Sequence, residues 1–139
     1  MNRDVFLDTS GFYALLASRD DRHTAAVSVV REAVVAGRQF VTTDYVLDET
    51  ATLLKARGLS HLLPAFFAAA RESRFCRVAW TDAGRFDQAR AIFLRHDDKS
   101  YSFTDCVSFC AMQSLRLHVA LTKDAHFRQA GFEALLAGA

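Results

Sequence analysis

The chain has 139 residues, 51% of them hydrophobic, and a formal charge of +1 from 17 Lys and Arg against 16 Asp and Glu. That length fits one domain, residues 1–139, with a core large enough to need no disulfide staple, and a single Pro with 24% charged residues excludes a disordered chain. The charge balance argues against holding a polyanion by bulk charge, so any such contact must run through a local patch or a bound cation.

In chain order, "DVFLD" reads as a short buried strand passing straight into a helix over "SGFYALLAS". "DDRHTAAVSVVREAVVAG" is a second helix, capped by Asp20 or Asp21 and stopped by Gly37. The strand "RQFVTT" is followed by the helix "DYVLDETATLLKARG", closed by Gly58. "SHLLPAFFAAARES" is another helix, with Pro64 tolerable in its opening turn. Then come a strand "FCRVAW", a helix "TDAGRFDQARAIFLRH" and a polar connection "DDKSY". A helix "SFTDCVSFCAMQSLRL", a strand "HVALT", a short helix "DAHFRQAG" and an edge strand "FEALL" complete the chain. Strands alternating with one or two helices predict a three-layer α/β/α domain on a parallel sheet. In such sheets ligands bind beyond the carboxyl ends of the strands.

Cys76, Cys106 and Cys110 cannot all pair within the chain, and no secretory segment fits the first eight residues, which hold Arg3, Asp4 and Asp8. Free thiols in a reducing, cytoplasmic setting are expected. No apolar run approaches the ~18 residues needed to cross a bilayer, so no membrane association is expected. Cys106 and Cys110 stand one helical turn apart among apolar residues, which reads as core packing.

Four acids are expected at the carboxyl edge of that sheet. Asp8 closes the first strand and reads either as a helix cap or as a ligand. Glu49 falls at the margin of the apolar arc formed by Val46, Leu47, Thr50, Leu53 and Leu54, on the side facing the body of the protein, while Asp48 faces away. Asp105 lies in a helix apolar almost all round, either as the partner of Ser102 in a capping box or as a functional carboxylate. Asp124 follows the strand "HVALT", again as a cap or a ligand. A parallel sheet would bring all four together, and clustered carboxylates repel one another. A hard divalent cation, Mg²⁺ or Mn²⁺, relieves that repulsion.

The segments "VFLDTSGFYALL", "VTTDYVLDETATLL", "YSFTDCVSFCAM" and "VALTKDAHFRQAGF", in order and over nearly the whole chain, resemble the PIN-domain ribonucleases. The likeness is greatest to the toxin subunits of VapBC-type toxin–antitoxin pairs. The resemblance implies a PIN-like sheet of about five parallel strands and metal-dependent endoribonuclease chemistry with one or two Mg²⁺ or Mn²⁺ ions. It assigns the catalytic and metal-site roles to Asp8, Glu49, Asp105 and Asp124, with supporting hydroxyls at Ser10 and Thr104. It further implies an RNA substrate and a cognate antitoxin that blocks the acidic site. Lys99, Lys123, His126 and Arg128 flank the third and fourth segments and are candidate phosphate contacts, or else ordinary surface charges.

Two other readings compete. "DTSG" is near the "DTG" of aspartic proteases, but Ser10 interrupts the match and those enzymes are β-rich. A non-catalytic PIN-like module that binds RNA or protein would have no need for four mutually repelling acids. Leu62, Leu63, Phe66 and Phe67 add apolar surface beyond one sheet face, which predicts a homodimer or a groove for an amphipathic helix of the antitoxin.

Overall fold

The computed structural model describes residues 2–138. Strand β1 (Val5–Leu7) is buried at every position, as a strand covered on both faces must be. With β2 (Phe40–Thr43), β3 (Cys76–Ala79), β4 (Val119–Leu121) and β5 (Glu133–Ala134) it forms one sheet in the order β3-β2-β1-β4-β5, every pair parallel. The chain builds outwards from β1 through β2 to β3 and then returns to lay β4 on the other side of β1. The strand order therefore reverses between β1 and β4, the point at whose carboxyl ends open parallel sheets bind ligands.

Helices α1 (Thr9–Leu16), α2 (His23–Val35), α3 (Asp44–Ala56), α4 (Leu63–Phe67), α5 (Ala83–Arg95), α6 (Phe103–Leu115) and the short α7 (His126–Gln129) flank the sheet in the three-layer arrangement expected. Helix α3 packs against α1 and α6, and α5 lies along α6. Helices α2 and α3 stop at left-handed Gly37 (φ 72°) and Gly58 (φ 73°), where the sequence places their ends.

Two local expectations are corrected. Helix α2 starts at His23, and Asp20 does not cap it: one carboxylate oxygen accepts from the Arg22 amide and the other is taken by Lys123. The segment from Ser60 to Glu72 is not one α-helix. It opens as a 3-10 turn (Ser60–Leu62), becomes α-helical around Pro64, which has no amide hydrogen to donate, and widens into a π turn (Ala68–Glu72).

Phe6, Phe66, Phe109 and Phe127 are fully buried. Phe109 meets Phe127 edge-on at 5.1 Å, and Phe127 lies 6.3 Å from Phe6, so β1, α6 and α7 share one aromatic floor. That floor fixes the elements whose polar ends carry the acids. The expected apolar surplus is found in part where predicted and in part on α5. Phe66 is buried, Phe67 remains exposed, and Phe86, Phe93 and Leu94 add exposed apolar surface on α5.

Candidate active site

Asp8 follows Leu7, whose partner on β4 is Leu121, so Thr122 stands directly across from it. Asp8 occupies the cap position of α1 without making a side-chain capping bond to it. Its carboxylate turns towards β4 instead and accepts from the Thr122 hydroxyl at 2.8 Å, with Ser10 Oγ 3.5 Å away. Asp8 is only 5% exposed. Burial pushes its carboxyl up to about 7, the Thr122 bond opposes that rise, and the charges of Asp105 and Asp124 add to it.

Thr122 is the residue that sequence reasoning passed over. Its fully buried hydroxyl donates to Asp8, accepts from the Asp124 amide at 3.0 Å and lies 3.1 Å from Ser10 Oγ. Ser10 in turn accepts from the Lys123 amide at 2.8 Å. One hydroxyl pair thus ties the ends of β1 and β4 together and sets the two acids relative to each other. A hydroxyl residue ending a strand two positions before an acid was the available signal.

Asp105 and Asp124 both make local backbone bonds, and only Asp105 does so as a helix capping partner. Asp105 completes the capping box of α6: its Oδ2 accepts from the Ser102 amide at 3.0 Å, and the Ser102 hydroxyl accepts from the Asp105 amide at 3.0 Å. Burial holds the Asp105 carboxyl above its ordinary value, the Ser102 amide opposes this, and the Asp124 charge raises it further. Asp124 Oδ1 accepts from the His126 amide at 2.9 Å, the local turn that starts α7. Neither bond exhausts a carboxylate's capacity to accept.

His126 was expected at phosphates, but its ring reaches into the acids. Nδ1 lies 3.2 Å from Asp105 Oδ2 and 3.0 Å from Asp124 Oδ1, while Nε2 sits 2.7 Å from Ser100 Oγ. The two Nδ1 contacts are within ion-pair reach but aligned with neither oxygen as a hydrogen bond, so that buried nitrogen has no partner. One ligand atom from each of Asp105, Asp124 and His126 falls within 4.8 Å of the others. An unpartnered nitrogen and two carboxylates converging on one point, with a protonation-prone Asp8 beside them, is a donor set suited to a divalent cation.

The remaining candidates divide. Glu49 is exposed on α3 and, among the described residues, forms no hydrogen bond or ion pair, which corrects its expected inward aim. The helix turns its buried face, Val46, Leu47, Thr50 and Leu54, just past it. Thr104 is half-buried, and Lys99 is exposed with no side-chain partner among the described residues. Lys123, expected at phosphates, is engaged within the chain: Nζ binds Asp20 at 2.8 Å and Asp21 at 2.9 Å. Arg128 is likewise spent inside the chain, on the carbonyls of Ala137 and Gly138. The three cysteines are free and buried, and burial pushes Cys106 up to about 11 and Cys76 up to about 12, so these are inert core thiols.

A parallel sheet in this order, with acids closing β1 and following β4 and a third in the first turn of α6, defines a PIN domain. A sequence model of the PIN domain matches residues 5–133, and the chain belongs to that family. Its relatives include the 23S rRNA-specific endonuclease VapC20 of Mycobacterium tuberculosis, 36% identical over 130 residues that cover 92% of this chain and 95% of the relative. A VapC ribonuclease of Archaeoglobus fulgidus is 33% identical over 128 residues, covering 88% of this chain and 78% of the relative. The crystal structure of M. tuberculosis VapC20, described as a sarcin–ricin-loop-cleaving toxin, superposes with a TM-score of 0.81 at 34% identity, over 93% of this chain and 96% of that one.

Proposed function

We propose that this chain is a metal-dependent endoribonuclease that hydrolyses RNA phosphodiester bonds, acting in the cytoplasm as the toxin of a toxin–antitoxin pair. The observation that carries the reading is the convergence of Asp8, Asp105, Asp124 and the unpartnered His126 nitrogen at the switch point of a PIN-type sheet. Asp8, Asp105 and Asp124 would hold one or two Mg²⁺ or Mn²⁺ ions, with Glu49 approaching from the solvent side as a fourth carboxylate. Such an ion, when bound, lowers the pKa of a water and neutralises charge on the scissile phosphate.

The chain's own residues do the positioning. Thr122 favours the ionised form of Asp8 against its burial and fixes its orientation, and Ser10 braces Thr122. Ser100 fixes the His126 ring, which fixes the spacing of Asp105 and Asp124. A carboxylate of this set, Asp8 or Asp105, orients the attacking water for in-line displacement, so no nucleophilic side chain is required. Lys99 remains free to meet a phosphate and Thr104 to support the third acid.

The substrate reading follows the relatives: 23S ribosomal RNA, at a structured loop. A homodimer and a cognate antitoxin whose amphipathic segment covers exposed apolar surface complete the proposal. The test is cleavage of a synthetic sarcin–ricin-loop RNA by purified protein with Mn²⁺ or Mg²⁺. Expected is one dominant cut, abolished by chelator and by Asp105→Asn. Cleavage that persists unchanged in both controls would sink the reading and leave the binding-module alternative standing.

A further inference from the structure

Trp80, the chain's sole tryptophan, stands at the same sheet edge as the acids and is 56% exposed. The register places it there. Ala79 pairs with Thr43, and Val41 with Phe6, so Ala79, Thr43 and Asp8 share one row across the sheet, and Thr122 extends it. Trp80 comes one residue after that row, two strand spacings from Asp8, or about 10 Å across the sheet.

The indole is held rather than loose. Its neighbour Thr81 is locked to the start of α3, where Asp44 Oδ1 accepts from the Thr81 amide at 3.1 Å and its hydroxyl at 2.6 Å. The Arg71 guanidinium lies over the Trp80 ring, 5.4 Å from its centroid. A rigid, exposed indole with a guanidinium over its ring has the composition of a single-strand nucleic-acid platform. Aromatic rings stack any unpaired base, and guanidinium groups meet its phosphates.

We propose that Trp80, with Arg71, stacks an unpaired base of the RNA close to the bond that is cut, so that the site selects strands with a splayed nucleotide at that place. This rests on the nuclease reading above. It is favoured over a protein contact because Trp80 stands at the same end of the sheet as the acids and carries the Arg71 guanidinium over its ring.

Trp80 reports on itself, since no other tryptophan emits. Asp8→Asn protein, which leaves RNA uncut, is titrated with a fluorescein-labelled single-stranded RNA while tryptophan emission and label anisotropy are both followed. An abasic strand and a duplex of the same sequence serve as controls, and wild-type cleavage is scored alongside. Expected is saturable quenching that tracks the anisotropy curve for the single strand and is absent for the abasic strand. Trp80→Ala should weaken binding by about tenfold or more, and Trp80→Phe by much less. Binding by anisotropy without quenching, or equal affinity of Trp80→Ala, overturns this inference alone while wild-type cleavage stands. Emission that changes with protein concentration in the absence of RNA overturns it too, by placing a second copy on the ring. No cleavage and no binding of any RNA overturns it together with the nuclease reading.

Discussion

Replacing Asp8 by Asn exposes the electrostatic cost of the site most plainly. In the metal-free fold the Asp8 carboxyl titrates near 7, against 3.8 for an unperturbed carboxyl, because burial disfavours its charge. Between those values the folded chain holds a proton that the unfolded chain has released, so stability is greatest below the unfolded value and falls as pH rises. At about 1.4 kcal/mol for each pH unit, the loss comes to about 4 kcal/mol by pH 7 and is complete above it. Asn keeps the shape and the acceptor for Thr122 but carries no charge. Urea unfolding in chelator at several pH values between 4 and 8 measures the difference. Asp8→Asn should match the wild type near pH 4 and exceed it by a few kcal/mol at pH 8. Added Mn²⁺ should then stabilise the wild type far more than the variant. A variant less stable than the wild type at pH 8 in chelator, or one with an unchanged pH slope, would refute the reasoning.

Other outcomes follow from the same geometry. Thr122→Val removes the hydroxyl shared by Asp8 and Asp124 and should lower activity about 10- to 100-fold with the fold retained by circular dichroism, while Thr122→Ser restores it. Gly11→Ala places a methyl group against the carbonyl of Leu121, which is backbone and cannot step aside. A stability loss of about 3 kcal/mol or more is expected in chemical unfolding. Lys123→Ala frees the turn before α2 and should cost about 1 kcal/mol at low ionic strength, shrinking in high salt, because the pair is only partly shielded.

The fold was legible because its signals are local. Val5–Leu7 and Phe40–Thr43 are short apolar strands, each entering a helix at once, and the parallel sheet follows from their alternation with helices. That Asp8, Asp105 and Asp124 would gather at one end of the sheet was legible because strand ends and helix starts place them, whatever the details of packing. What failed depends on distance across the chain. Asp20 reads as a helix cap, yet a lysine 103 positions away claims it. Thr122 looks like an ordinary strand end until register sets it across from Asp8. Glu49 lies where a helical wheel cannot distinguish the last inward position from the first outward one, and a small rotation of α3 leaves it in solvent. His126 carries no sequence mark that tells a phosphate contact from a brace between two acids.

Manganese binding followed by electron paramagnetic resonance, where the free aqueous ion gives the signal, bears on the site without recourse to any substrate. The wild-type chain at neutral pH should quench that signal saturably, and Asp8→Asn and Asp105→Asn should each lose most of the binding while remaining folded. Equal manganese uptake by all three proteins, or none by the wild type at millimolar metal, would show that these acids do not make a cation site.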